Sequence, residues 1–541
     1  MPTRPRQRRP SISDIQRLAV ERTVYGYAEE YLHLEDGSKF SFKNHNYLVD
    51  IYLDLHPYIV IEKSAQMGAS IYAIAKAFAV CDKMSKNTIY FFPTDTDVMD
   101  FSKTRVGPIV ANSPHLSEVT GRSDSLGLRQ VNNGWLYFRG MRSKVAMKSI
   151  PADFLIFDEL DEVPEGAEAL ADQRLNHSSL RWRLKLSTPT YENFGIDREF
   201  KNSDQRYWNL VCRACQTRNI MEFQFPECVR RFTPTKCGLI CRRCKRELDP
   251  QYGEWIAEKP SVERIRGYHI CGLYSSFLDL SDMMYEFEGG RRRDEFMRSK
   301  LGLPWVSAEQ RITRDMVQRC YSDYEMHIDY HTFMGVDQKG DQLHLTIRKP
   351  NRISGKSEVI LVGRVRTFDL LDDYMRRYDI DLCVIDGTPN QHSARDFSRR
   401  FPGRVYLCFY QDTQKGEYAW RESTTTTGLD YMVIVNRTEA LDAMYEQIGR
   451  REVAFPRPTK DVEELTEQLT NLARENVEDD DGTIKGAVWK RLGPDHFAHS
   501  LSYSLIAQSK YGTQTPSSIV VQSPIMARIL KPGRQVVTGR Y

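Results

Sequence analysis

IEKSAQMGAS, residues 61–70, follows an apolar run of strand length, Tyr58-Ile59-Val60-Ile61, that starts after Pro57. After it come Ile71 to Phe78, apolar and alanine-rich, which read as a helix. Strand, tight loop and helix are what a phosphate-binding loop requires, because loop N–H groups and the helix N-terminus then face the phosphates together. Against G-x-x-x-x-G-K-[ST], Gly68 and Ser70 fit, Ala69 stands where the lysine belongs, and Lys63 stands where the first glycine belongs. The Lys63 stem is long enough to bring its ammonium back over the same phosphates, and Ser70 keeps the hydroxyl that would hold Mg²⁺. Alone, the loop reads equally as an ordinary strand–turn–helix connection.

FLIFDELDEVP, residues 154–164, weights the choice. Phe154 to Phe157 read as a buried strand ending in Asp158-Glu159. An acidic pair at the carboxyl end of a parallel strand binds Mg²⁺ and positions water. Asp158 would hold the metal through water and Glu159 would polarise the attacking water. A solvated acidic turn is the competing reading, since Asp161 and Glu162 follow. Four carboxylates directly after an apolar strand argue against it, and the pair of stretches points to an ATPase.

Further along, Asn87 to Thr94 read as a second strand, followed by a helix containing Asp100 to Arg105. Arg105 reads either as an arginine finger for the γ-phosphate or as a surface arginine. Arg183 to Thr190 are another strand running into a polar turn. Alternating strands and helices predict a parallel α/β sheet with the nucleotide at its carboxyl edge. Tyr47 and its neighbours, ahead of the first strand, read as core or as adenine contacts.

Cys212-Arg213-Ala214-Cys215 and Cys241-Arg242-Arg243-Cys244 are two C-x₂-C knuckles 25 residues apart. Each places two thiolates on one turn, and together they predict a tetrahedral, structural Zn²⁺ site. Cys237 is a competitor with less usual spacing. Lys236, Arg242, Arg243, Lys245 and Arg246 surround the second knuckle, so the ribbon is also a candidate for DNA contact.

From Thr332 the pattern changes. Phe333 to Gln338 read as a strand ending on Asp337, Gln342 to Ile347 as its hairpin partner, and Leu382 to Asp386 as a second strand ending on an acid. Asp495 opens a final helix. Strand-acid, hairpin, helix, strand-acid, helix-acid is the plan of an RNase H-like nuclease, in which three carboxylates gather on two Mg²⁺ or Mn²⁺ ions. Each acid alone also reads as an ordinary strand-end or capping aspartate. His496 and His499 read as assisting ligands or as packing residues. The acidic run Glu478 to Asp481 reads as an exposed loop.

At 541 residues, with net charge +3, 40% hydrophobic and 28% charged residues, the chain predicts a globular protein of roughly two to four domains. No apolar run approaches the ~20 residues of a membrane span. MPTRPRQRRP lacks a secretory apolar segment, so the expected compartment is a cytoplasm. There the eleven cysteines predict no disulfides. Both ends are basic: Arg4, Arg6, Arg8 and Arg9 precede the first acid, and none follows Asp495. These arms read as phosphate-reaching segments or as solvated tails.

KSAQMGAS, PTDTDVMDFSKTR, DFLIFDELDEVP and LSTPT, in this order, resemble the large terminase subunits of tailed bacteriophages, the lambda-like GpA family of DNA-packaging motors. The resemblance covers about residues 40 to 510. It implies an early loop lysine, hence Lys63, with Ser64, Gln66, Gly68 and Ser70 around ATP and Mg²⁺. It implies that Ser187 and Thr188 couple the γ-phosphate to movement. Asp337, Asp386 and Asp495 match the family's GVDxQ, VIDG and DHFxHxxxY motifs, except that Gln338 follows Asp337 directly. The resemblance implies double-stranded DNA, a small terminase subunit, the portal of the procapsid and a homo-oligomeric ring as partners, no membrane, and the host cytoplasm. The expected organisation is a basic arm (1–20), a P-loop, ASCE-type ATPase domain (21–206), a zinc ribbon (207–258), a linker and helical docking region (259–330), an RNase H-like nuclease domain (331–510) and a basic tail reaching the portal (511–541). An ATP-dependent helicase or remodeller with a non-cleaving C-terminal domain is the alternative.

Overall fold

The computed structural model describes residues 22–512 except 122–124, 143–149, 165, 234–235, 290–292, 306–310, 324–330, 352–353, 417, 426–427 and 479–483. The expected arm at 1–20, the tail beyond 512 and most of the acidic run after Glu478 lie outside the described residues. The chain divides into two compact units, Met1–Val306 and Ser307–Tyr541.

The first unit is built on a ten-stranded sheet. Its strands are β1 (Tyr58–Lys63), β2 (Thr88–Phe92), β3 (Leu128–Val131), β4 (Gly134–Gly140), β5 (Phe154–Asp158), β6 (Trp182–Ser187), β7 (Arg206–Val211), β8 (Arg218–Asn219), β11 (Gly253–Ala257) and β12 (Arg266–Ile270). β9 (Val229–Thr233) and β10 (Lys236–Leu239) form a separate hairpin. The sheet order is β11-β7-β12-β1-β6-β5-β2-β4-β3, with β8 on β7. From β7 to β4 every pairing is parallel. Buried on both faces, β2 and β5 carry continuous apolar runs, as parallel strands must. The Ala69–Met84 helix is buried over most of its circumference, which explains its alanine-rich, weakly amphipathic sequence.

The stretches read as a zinc ribbon (207–258) and as a linker and helical docking region (259–330) contribute strands to the main sheet: β7 begins at Arg206, β11 and β12 join it, and β12 lies directly beside β1. Gly267, Tyr268 and His269 are polar or small residues with no long apolar run, so no strand signal stood out. Burial of Tyr268 and Ile270 between neighbours makes the strand.

The second unit holds an eight-stranded sheet ordered β18-β19-β17-β16-β13-β14-β15-β20. Here β13 is Thr332–Lys339, β14 Gln342–Pro350, β15 Ser357–Val365, β16 Ile380–Asp386, β17 Val405–Tyr410, β18 Ala419–Thr425, β19 Gly428–Val435 and β20 Val453–Ala454. β13, β14 and β15 form an antiparallel meander, whereas β16, β17 and β19 continue parallel from β13. The His496–Gly512 helix crosses this sheet. At Gly335 a Cβ would fall 2.0 Å from Ser500 O and 2.2 Å from Ser504 N, so only glycine admits the helix this close.

Candidate functional site

In the first unit β1, β6 and β5 are parallel neighbours, and their registers pair Glu62 with Ser187 and Leu186 with Asp158. Their carboxyl ends therefore bring Lys63, Ser187-Thr188 and Asp158-Glu159 to one sheet edge. The loop turns at Gln66 (φ 60°) and Gly68 (φ 80°), and Gly68 precedes the Ala69–Met84 helix. The left-handed turn at Gly68 needs a residue without Cβ. Beside this edge lies a cavity of about 380 Å³ lined by Lys63, Gln66, Gly68, Ser70, Arg105, Glu159 and Thr188. Its other wall is Leu34, Phe40, His45, Leu48 and Ile71.

Lys63 Nζ lies 3.3 Å from Glu159 Oε1. Asp158 is buried and accepts a hydrogen bond from Tyr90 Oη at 2.7 Å. Burial first, and the neighbouring Glu159 carboxylate second, push the Asp158 carboxyl up to about 6. Ser187 Oγ stands 3.5 Å from Glu159 Oε2 and accepts from the Asp161 N–H. Asp161 accepts from Thr190 N, Thr190 Oγ1 and Ile196 N, each at 2.7 Å, which fixes the turn after β6. Ser64 is buried, with its Oγ unpartnered among the described residues, and is not on the cavity wall.

Arg105 sits on a π-helical turn, Ser102–Val106, and also faces Glu35 at 3.7 Å. Such turns offset a side chain from the regular helix face. Tyr47 is buried behind the cavity, with its hydroxyl donating to Met67 O at 3.4 Å. His45 and Leu48, neighbours of Tyr47, line the cavity wall where Tyr47 does not, and Phe40 has no signal in the sequence, because an irregular aromatic-rich segment has no periodicity pointing to a ligand.

The four cysteines of the two knuckles form the only group of three or more His, Cys, Asp or Glu ligand atoms within 4.8 Å of one another among the described residues. Cys212 Sγ lies 3.5 Å from Cys244 Sγ, and Cys215 Sγ 3.6 Å from Cys241 Sγ. Sulfurs bound tetrahedrally at ~2.3 Å to one ion stand just under ~3.8 Å apart, so this donor set fits zinc. Cys237 stands outside the group.

In the second unit β13 and β16 pair Val336 with Ile385, which sets Asp337 and Asp386 side by side. Asp495 immediately precedes the His496–Gly512 helix, which packs on β13. The acids are held by different partners. His496 Nδ1 lies 2.7 Å from Asp337 Oδ2, and Thr388 N donates to Asp386 Oδ1 at 3.0 Å. Asp495 faces His499 Nε2 and Arg491 Nε, each at 3.3 Å. Burial, then a backbone hydrogen bond opposing it and the Asp337 charge adding to it, leaves Asp386 at about 6. Burial works to raise Asp495 too, but the His499 hydrogen bond and the His499 and Arg491 charges outweigh it, and its pKa is lowered. The three acids do not close into one group within 4.8 Å. His496 Nε2 is buried without a hydrogen-bond partner among the described residues, and it diverges from Nδ1, the ring nitrogen that meets Asp337, so the carboxylate oxygens are the donors here that suit a hard divalent cation.

Residues 53–259 match the family described as the ATPase domain of phage terminase large subunit gpA. The chain is 21% identical over 348 residues to the terminase large subunit of Enterobacteria phage P21, covering 54% of each. It is 23% identical over 292 residues to that of Escherichia phage lambda, covering 45% of this chain and 46% of the relative. The chain thus spans about half the length of these curated relatives. Its fold is similar to the crystal structure of the HK97 bacteriophage large terminase, with a TM-score of 0.50 at 12% identity over 90% of this chain and 99% of that one. The likeness to large terminase subunits read from the motifs is borne out, and the mixed α/β fold is shared with them. Among the described residues no helix is long and apolar enough to cross a membrane.

Proposed function

We propose that this chain is the large subunit of a phage terminase, an ATP-driven motor that moves double-stranded DNA into a procapsid and cuts it. One observation carries the reading: Lys63, Glu159, Arg105 and Thr188, from four separate segments, line a single cavity at the carboxyl edge of a parallel sheet. In this P-loop ATPase, Lys63, Gln66, Gly68 and Ser70 hold the ATP phosphates, with the buried Ser64 shaping the loop. Ser70 and Asp158 would hold Mg²⁺, which neutralises phosphate charge. Glu159 orients the attacking water, and Arg105 faces the charge that develops on the γ-phosphoryl group. Ser187 and Thr188 report that change to the rest of the unit, supported by the Ser187–Glu159 and Thr190–Asp161 contacts. Phe40, His45 and Leu48 form the wall for the base.

Cys212, Cys215, Cys241 and Cys244 would hold a structural zinc. The second unit is read as an RNase H-like nuclease in which Asp337, Asp386 and Asp495 would hold two Mg²⁺ or Mn²⁺ ions, which supply an activated water and a stabilised leaving oxygen when bound. His496 orients Asp337, and His499 orients Asp495. DNA, a small terminase subunit, a portal and other copies of this chain in a ring are the partners, in the host cytoplasm. A second reading, an ATP-driven remodeller whose second unit binds DNA without cutting, is favoured by the engagement of each acid with a hydrogen-bonding or charged neighbour. Supercoiled plasmid and Mn²⁺ decide between them. Cutting by wild type that is lost in Asp386→Asn supports the nuclease, and no cutting by wild type supports the remodeller.

A further inference from the structure

The four-cysteine element carries a surface that neither the nucleotide cavity nor the acidic site uses. β9 and β10 run through Ile240 straight into the second knuckle. The chain then returns antiparallel, with Ile240 bridged to Glu247 and the Leu248 N–H donating to Leu239 O at 2.8 Å. Hairpin and knuckle are therefore one continuous ribbon.

Six exposed cations stand on it: Arg230, Lys236, Arg242, Arg243, Lys245 and Arg246. None of the six makes an ion pair among the described residues. Their neighbours behave differently, since Arg213, Arg218 and Arg231 are paired with Asp249, Glu254 and Glu288. Between residues 227 and 247 only Glu227 and Glu247 are exposed acids. A zinc tetrathiolate carries two net negative charges, too few to balance six cations even with both glutamates added. Two aromatic side chains add to the surface. Phe232 is 42% exposed, with its ring over Gly238. Tyr285 is 80% exposed on the Leu280–Gly289 helix, which touches the hairpin through Ser281 and Glu288. Ser281, Tyr285 and Glu288 share one helix face.

We propose that this hairpin and knuckle are a docking face for the phosphate backbone of duplex DNA. The inference deepens the terminase reading and rests on it. Like charges gathered on one short ribbon without acidic partners repel one another, and a polyanion relieves that repulsion while releasing its counterions. Four of the six cations are arginines, whose planar forks match phosphate oxygens. Contacts of this kind fix position without reading bases, as a translocating motor requires.

The test uses full-length protein and a fluorescent blunt duplex of arbitrary sequence, titrated across a range of salt. Arg242→Gln/Arg243→Gln, Lys245→Gln/Arg246→Gln and Arg230→Gln/Lys236→Gln are made separately and together. The slope of log K against log salt is expected to become shallower by about 0.9 for every phosphate that the protein no longer neutralises. The combined variant is expected to bind at least about tenfold more weakly at low salt. Zinc content and DNA-free ATP turnover are expected to stay at wild-type levels. Unchanged affinity and slope would overturn the proposal. Loss of zinc in the variants would overturn it too, because the charges would then serve the cysteine cluster. Polyglutamate competing as well as DNA would assign the face to an acidic protein instead. A wild type that binds DNA through this face without turning over ATP would defeat the terminase reading and leave the docking face standing.

Discussion

Glu159 holds a left-handed backbone, φ 50°, a conformation that costs a non-glycine residue about 1 kcal/mol or more. The strain is held in place where Asp158 Oδ1 accepts the Glu159 N–H at 3.0 Å, and it turns the Glu159 side chain toward Lys63 and Ser187. Glu159→Gln keeps the shape and removes the charge, so ATP turnover is expected to fall by about a hundredfold or more. Lys63→Ala is expected to weaken both nucleotide binding and turnover. Steady-state ATPase assays check both variants, and near-wild-type turnover in Glu159→Gln would displace Glu159 from its role. Lys76, one helical turn and more beyond the loop, poses a different problem. It is fully buried, its Nζ hydrogen-bonded to Tyr72 Oη and within 6 Å of the Phe154 and Trp182 rings, with no carboxylate in contact among the described residues. Burial lowers its pKa to about 7, against a weaker opposing pull from Asp54. Between that value and the ordinary 10.5 the unfolded chain binds the proton and the folded chain does not, so this residue's contribution to stability rises with pH. Lys76→Met is expected to be more stable than wild type near pH 7, by an amount on the order of a few kcal/mol, with the gap closing toward pH 10. Paired thermal melts across that range check it.

At the scale of elements, the His496–Gly512 helix is seated by the bare backbone of β13. Gly335→Ala would drive a methyl group into Ser500 O and Ser504 N, neither of which belongs to a side chain able to swing aside. Destabilisation of about 3 kcal/mol or more is expected. Denaturant unfolding measures it, and a loss below about 1 kcal/mol would mean the helix is free to lift from the sheet. Because Asp495 and His496 begin that helix, displacement would also carry them away from Asp337. The cysteine element depends on a different principle. Little apolar surface is available to a knuckle, so ligation holds it together. Cys212→Ser or Cys244→Ser is expected to remove one equivalent of zinc per chain, whereas Cys228→Ser is expected to leave zinc content unchanged. Cys228 is buried next to Met221 O, apart from the cluster. Metal analysis of freshly purified protein checks all three, and a zinc-free wild type would end the zinc assignment.

Across the whole molecule, the cavity lined by Lys63 and Glu159 belongs to one compact unit and the three acids to the other. The two chemistries are therefore expected to separate: Glu159→Gln in the full chain keeps Mn²⁺-dependent cutting, and Asp386→Asn keeps ATP turnover. Joint loss in either variant, with the fold intact by circular dichroism, would mean that the chemistries are not independent. What the sequence by itself determined were the features written in contiguous residues. Loop residues 61–70, the strand-acid FLIFDE and both C-x₂-C knuckles each place their candidate groups within a few residues of one another along the chain. The order of acid-ended strands at Asp337 and Asp386 was legible for the same reason, since an apolar run closed by a carboxylate marks a buried strand meeting a site. Tertiary structure decided whatever depends on which segments become neighbours. It set β12 beside β1, where Glu62 and His269 meet in the sheet interior, although no strand signal marked that segment. It also gave Arg105 its place on the cavity wall, buried Tyr47 behind that wall and put Leu48 in front. The same holds for the acids, because whether a buried carboxylate meets a histidine, an arginine or another carboxylate is fixed by sheet register and helix seating. Periodicity along a chain reports which residues turn inward, whereas the partner each one meets there depends on contacts between segments far apart in sequence.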